Sequence, residues 1–115
     1  MKGGFYLTVE DIINDLIQEL DQAPPELTGM EAIFELNITG EQAATYQLKI
    51  ENEQLYWAEG TPFEPTCTIY ISDQGFLKIA SGELNPKVAL LTGRIKIEGD
   101  YSQALALSAI LKKYH

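Results

Sequence analysis

Residues 67–111 read CTIYISDQGFLKIASGELNPKVALLTGRIKIEGDYSQALALSAIL and place several structural starts and stops in quick succession. Cys67-Thr68-Ile69-Tyr70-Ile71 alternates as a strand does, with Cys67, Ile69 and Ile71 on one face. Ser72 or Asp73 then offers a side-chain oxygen to cap a helix whose apolar residues are Phe76, Leu77 and Ala80. Gly82 ends that helix in the left-handed conformation, which a residue with a β-carbon adopts only at a cost. Asn85-Pro86 supplies an N-cap and a first-turn proline, opening a second helix through Val88 and Leu91. Gly93 closes it. Arg94 to Glu98 alternates again with Ile95 and Ile97 inward, and Gly99-Asp100 turns the chain into a final helix capped by Asp100.

Upstream of this stretch the pattern is simpler. Thr8 followed by Asp11 resembles a capping box with a shorter acid in place of glutamate. Val9, Ile12, Ile13, Leu16, Ile17 and Leu20 then recur at helical spacing, while the acids between them face away as a solvated surface. Residues 1–7 form an arm before this helix, and the Asp21–Gly29 segment with Pro24-Pro25 is the linker after it. Ala32 to Thr39 alternates Ala32, Phe34, Leu36 and Ile38 against Ile33, Glu35, Asn37 and Thr39. Thr45 to Glu51 repeats the pattern with Tyr46, Leu48 and Ile50 inward, and Gln54 to Glu59 adds a third strand carrying Leu55 and Trp57. Short turns join these three strands, so the sheet starts as an antiparallel meander, and 60–65 is a wider loop leading to the Cys67 strand.

The chain has 115 residues, a length that suits one compact domain able to bury a core without disulfides or metals. Its single cysteine forms no internal disulfide, which fits a reducing compartment or indifference to redox state. No apolar run reaches the length of a signal-peptide core or a transmembrane span, so the sequon Asn37-Ile38-Thr39 is read as chance. The formal charge of −9 repels nucleic-acid phosphates and anionic lipid surfaces. This argues against nucleic acid as a partner and leaves at most transient contact with a membrane.

Catalytic constellations are missing. The one histidine, His115, is the last residue, which leaves no ordered histidine for a nucleophile–base arrangement. Cys67 and His115 are too few to hold zinc. Cys67 lies on the inward face of a strand, where a free cysteine behaves as a small apolar residue. No phosphate-cradling glycine motif occurs. The carboxylates fall on outward faces and in turns, away from the burial that tunes an acid or base. Phe34, Tyr46, Trp57, Tyr70, Phe76 and Tyr101 remain as core or as the lining of a pocket.

The run SGELNPKVALLTGRIKIEGDYSQALAL resembles the sterol carrier protein-2 (SCP2) lipid-binding domain. The resemblance is carried by Ser81-Gly82, Leu84, Asn85-Pro86, Gly93-Arg94-Ile95-Lys96-Ile97 and Gly99-Asp100, and it extends over about residues 28–112. It implies an α+β fold with a mostly antiparallel five-stranded sheet, helices covering one face and a hydrophobic tunnel between the layers. It also implies non-catalytic binding of fatty acids, acyl chains, sterols or isoprenoid-like molecules, with no cofactor. One wall of the tunnel is expected from Phe34, Leu36, Leu48, Trp57 and Ile69, and the other from Phe76, Leu77, Ala80, Val88, Leu91, Leu105 and Leu111. The final helix, rich in leucine and alanine, is expected to be covered on two sides and to move for loading. The ending Lys112-Lys113-Tyr114-His115 lacks the Ser-Lys-Leu type address of peroxisomal members, so a stand-alone, prokaryotic-like cytoplasmic relative is expected. The competing expectation is an interaction module with a closed core, acting as a homodimer or beside a catalytic partner protein.

Overall fold

The computed structural model describes residues 8–22, 25 and 28–111. The arm at 1–7, residues 23, 24, 26 and 27 of the linker and the segment 112–115 lie outside the described residues. Helix α1 spans Val9–Asp21 and starts at a reciprocal capping box. The Thr8 amide donates to the Asp11 carboxylate at 3.0 Å, and the Asp11 amide donates to the Thr8 hydroxyl at 3.1 Å. Aspartate therefore serves where glutamate is usual. Val9, Ile12, Ile13, Leu16 and Leu20 form one buried stripe, each no more than 5 % exposed.

Strands β1 (Ala32–Thr39), β2 (Ala44–Glu51) and β3 (Gln54–Glu59) form the meander. Asn52 and Glu53 both take positive φ, 54° and 62°, which gives the β2–β3 hairpin the twist a two-residue turn needs. Strand β4 (Cys67–Ser72) and strand β5 (Ile95–Gly99) complete a sheet of order β3-β2-β1-β4-β5. The pairing of β1 with β4 is parallel, so the sheet is mixed rather than the mostly antiparallel one expected. The reason lies in residues 60–66. This segment is not a hairpin loop but a crossover that carries the chain back to the end of the sheet where β1 begins. It passes over the polar face of β2, where the Gln47 side chain accepts from the Phe63 amide at 2.8 Å and donates to the Phe63 carbonyl at 3.1 Å. Gln47 is thereby fully buried with both its amide oxygen and its amide nitrogen bonded.

The helices occupy the opposite, apolar face. Helix α2 (Asp73–Ser81) is capped by the Ser72 hydroxyl, which accepts from the Gly75 amide at 3.0 Å, and ends at Gly82 with φ 86°. Helix α3 (Pro86–Leu91) is capped by Asn85. Helix α4 (Tyr101–Leu111) follows β5 through Gly99, whose φ is 94° and where a β-carbon would collide with the Thr66 backbone. Asp100 caps α4 by accepting from the amides of Ser102 and Gln103 at 3.0 and 3.3 Å. Buried Asp73 ties α2 to the β1–β2 turn by accepting from the Gln42 amide at 2.9 Å.

One expectation for α4 fails. Ala104 and Leu107 are buried, but Leu105 is 44 % exposed and Tyr101 48 %, so the described part of the helix is covered on one side only. Among the described residues, no element packs outside α4 to cover the second apolar arc, and no helix is long and apolar enough to cross a membrane.

Candidate functional site

Between the sheet and the helices lies a cavity of about 70 Å³. Its floor is made by Leu36 of β1, Ile69 and Ile71 of β4, and Ile95 and Ile97 of β5. These residues share one face because side chains alternate along each strand. Its roof takes Leu16 from α1, Phe76 and Ile79 from α2, Pro86 and Leu90 from α3, and Ala104, Leu105 and Leu107 from α4. Two polar residues join the lining, Lys87 and Ser108. The Ser108 hydroxyl is spent on the Leu105 carbonyl at 2.8 Å. Lys87 is exposed and forms no ion pair among the described residues. Its stem can line an apolar space while its ammonium group stays in water.

Of the residues expected to form the site, Leu36, Ile69, Phe76 and Leu105 border this cavity. Phe34 and Leu48 are cross-strand neighbours with no exposed surface, but they are core residues that do not line the cavity. Trp57 continues the same cross-strand row beyond Leu48, and there the row reaches the sheet edge and the indole is 46 % exposed. Leu77 is half-buried and Ala80 buried in core, and neither lines the cavity. Val88 and Leu91 turn outward on α3, 48 % and 86 % exposed, because Ala89 and Leu90 take its inward positions. The side chain of Leu111 lies outside the described set. Sequence reasoning does not put Leu16, Ile79, Pro86, Lys87, Leu90 and Leu107 at the site. Ile71, Ile95 and Ile97 are legible, since alternation along β4 and β5 gives their inward phase.

The electrostatics match an apolar site. Burial, with a smaller push from Asp100, raises the Cys67 thiol above its ordinary value, so the thiolate is disfavoured and the sulfur is inert core. Burial likewise raises the Tyr46 phenol, helped by the charges of Glu59 and Glu10. The Tyr70 hydroxyl donates to Glu98 at 2.9 Å on the polar face, and this bond is the main reason its proton is held more tightly. Asp100 is shifted down, first by the Ser102 hydroxyl and then by the Gln103 amide. None of these groups lines the cavity. Among the described residues, no three metal-binding side chains converge. The chemistry available inside is apolar contact.

The fold and this partly open space define an α+β module with an apolar interior between a mixed sheet and its covering helices. The family model described as the SCP-2 sterol transfer family matches residues 13–112, and the chain belongs to that family. A hydroxysteroid dehydrogenase-like protein 2 from Xenopus laevis is 29 % identical over 82 residues, covering 70 % of this chain and 20 % of the relative. The peroxisomal multifunctional enzyme type 2 of Mus musculus is 37 % identical over 89 residues, covering 72 % of this chain and 12 % of the relative. The chain thus spans a fifth or less of the length of these two curated relatives. Among solved structures, the palmitated SCP2L2 of Aedes aegypti superposes with a TM-score of 0.73 at 24 % identity, covering 95 % of this chain and 98 % of that one.

Proposed function

We propose that this protein binds and carries long-chain lipids, chiefly acids of the fatty-acid type, without catalysing their conversion. The observation that carries the reading is the cavity itself, whose apolar walls come from three strands and four helices and whose only charged lining residue, among the described residues, is Lys87. The similarly folded SCP2L2 of Aedes aegypti is palmitated, which supports the same ligand class. Each methylene moved from water into such a space contributes about 0.8 kcal/mol. A carboxylate held at Lys87 would orient the chain inward and favour an acid over a neutral sterol or isoprenoid.

A cavity of about 70 Å³ does not hold such a chain as it stands. An engineered apolar cavity of about 150 Å³ accommodates benzene, and small-ligand pockets run to about 300 Å³ and above. Loading therefore widens the space into a tunnel, and α4 is the wall that gives way, since Leu105 and Tyr101 already face water. Native mass spectrometry of the freshly purified protein, followed by organic extraction, tests the reading. A discrete adduct released as a fatty acid supports it. A clean apo mass, together with no uptake of a fluorescent acyl probe, sinks it. Binding of a fatty alcohol as tightly as the matching acid would remove Lys87 from the account.

A second reading draws on Val88 and Leu91, which project from α3 outside the cavity. They suit a contact with a second copy or with a catalytic partner protein. A dimer at low micromolar concentration that Leu91→Glu disperses would favour it, and a monomer at that concentration would count against the homodimer.

A further inference from the structure

We propose a second binding site, for a phosphate-bearing anion, in a groove of about 450 Å³ where α2 leaves the sheet and β5 enters it. The groove lies at the carboxyl ends of the parallel strands β1 and β4, where Thr39 and Ser72 stand opposite each other in the ladder. Lys78 projects from the last turn of α2, Arg94 precedes β5, and Lys96 lies on the polar face of β5 beside Tyr70. The chain has only 8 basic residues against 17 acidic ones, yet Lys78, Arg94 and Lys96 all line this one groove. Among the described residues, no acidic side chain lines it.

Three features make this more than a solvated surface. Lys78, Arg94 and Lys96 form no ion pair among the described residues, so their charge is not spent within the protein. Two neighbouring acids carry hydrogen bonds of their own. Glu98 accepts from the hydroxyl of Tyr70, at the groove wall, at 2.9 Å, and Asp73 accepts from the backbone amides of Gln42 and Gln74 at 2.9 and 2.7 Å. The space is concave and within the range of small-ligand sites, roughly 300–1,000 Å³. Arginine supplies a planar fork for phosphate oxygens, and the two lysines supply point charges beside it. The capped start of α2 adds little, because its first amides already bond to Ser72 and Asp73. The net charge of −9 acts against anions at long range, but at physiological salt the screening length is about 8 Å, so the local cations decide.

This site is separate from the apolar cavity, sharing only Ile71 as a wall among the described residues, so it stands or falls independently of the lipid reading. The same chemistry is presented by a free phosphorylated metabolite or by a phospholipid headgroup. The test uses the full chain and two probes, inorganic pyrophosphate followed by calorimetry and amide chemical shifts, and vesicles of phosphatidylcholine with and without phosphatidic acid. Saturable pyrophosphate binding is expected, with shifts centred on Gly75, Lys78 and Gly93 to Lys96. Arg94→Gln should weaken it about ten-fold or more, Lys78→Gln and Lys96→Gln severalfold each, and added salt should weaken it further. Lys49→Gln makes the same charge change away from the groove and should alter affinity less than about two-fold. Vesicle retention that requires phosphatidic acid and is lost in Arg94→Gln assigns the site to a headgroup. Pyrophosphate binding without such retention assigns it to a soluble phosphate. Absence of binding in both arms overturns the site, as does Lys49→Gln weakening it as much as Arg94→Gln.

Discussion

The helix-covered face of the sheet is packed in two different ways. Where α1 lies, toward β3, Val9, Ile12, Ile13 and Leu20 of its stripe share one core with Phe34, Leu48 and Ile50, none of them more than 5 % exposed, and Leu16 alone of the stripe reaches the cavity. Over β4 and β5, where α3 and α4 lie, an empty space remains and Val88, Leu91 and Leu105 face solvent. The difference follows from the helices. α1 is amphipathic, with large branched residues at every inward position, and fills its half of the sheet. α4 places alanine among its leucines and lacks a sharp division into apolar and polar faces, so it does not fill the space beneath it and leaves Leu105 in water. One half of the face is filled core, and the other keeps the space that the proposed ligand would have to widen.

The strongest way to break this comparison is Phe34→Ala. In solid core it should cost about 3–5 kcal/mol of unfolding free energy, with the acyl-probe affinity of the folded fraction unchanged. Denaturant melts and probe titration read both quantities. A loss of affinity larger than the loss of stability would place the ligand under α1 instead. Next in size is Gly99→Ala, where a β-carbon meets the Thr66 backbone at φ 94°. We expect a loss of about 1–3 kcal/mol and, because this residue joins β5 to α4, faster exchange of the α4 amides. A stable variant with unchanged exchange would show that α4 is not hinged there.

Leu105→Gln reverses the pattern expected for Phe34. The side chain is 44 % exposed, so unfolding should change by less than about 1 kcal/mol, while probe affinity falls about ten-fold. Equal losses would mean the cavity is ordinary core. A smaller effect is expected at the start of α4. Asp100 is held below the usual 3.8, so its charge stabilises the fold above that value and the contribution is lost as pH falls through the lowered value. Thermal melts of wild type and Asp100→Asn should differ at neutral pH and converge in acid. A gap that widens in acid would reverse the sign. Smallest of all, the Cys67 thiol should react with a thiol reagent only as fast as the sheet opens, with native and unfolded rates far apart.

Much of the fold is readable from residues. Thr8 with Asp11, Ser72, Asn85-Pro86 and Asp100 mark helix starts by chemistry confined to a few neighbouring residues. Alternation locates β1 to β5 and the inward phase of Ile69, Ile71, Ile95 and Ile97. The site is harder to read. Hydrophobic spacing tells Val88 and Leu91 apart from polar residues, but it does not tell inside from outside on a helix of one and a half turns whose other apolar residues are Ala89 and Leu90.

The sequence by itself determined where the elements begin and end and which side of each strand faces inward, because caps, turns and alternation act over a few residues. Tertiary structure decided that β4 lies parallel to β1, because the crossover at 60–66 is anchored by Gln47, a residue distant in sequence. It also decided which apolar residues border empty space. A cavity is a mismatch in volume between surfaces brought together from β1, β4, β5 and the helices above them, and no single segment of the chain carries that sum.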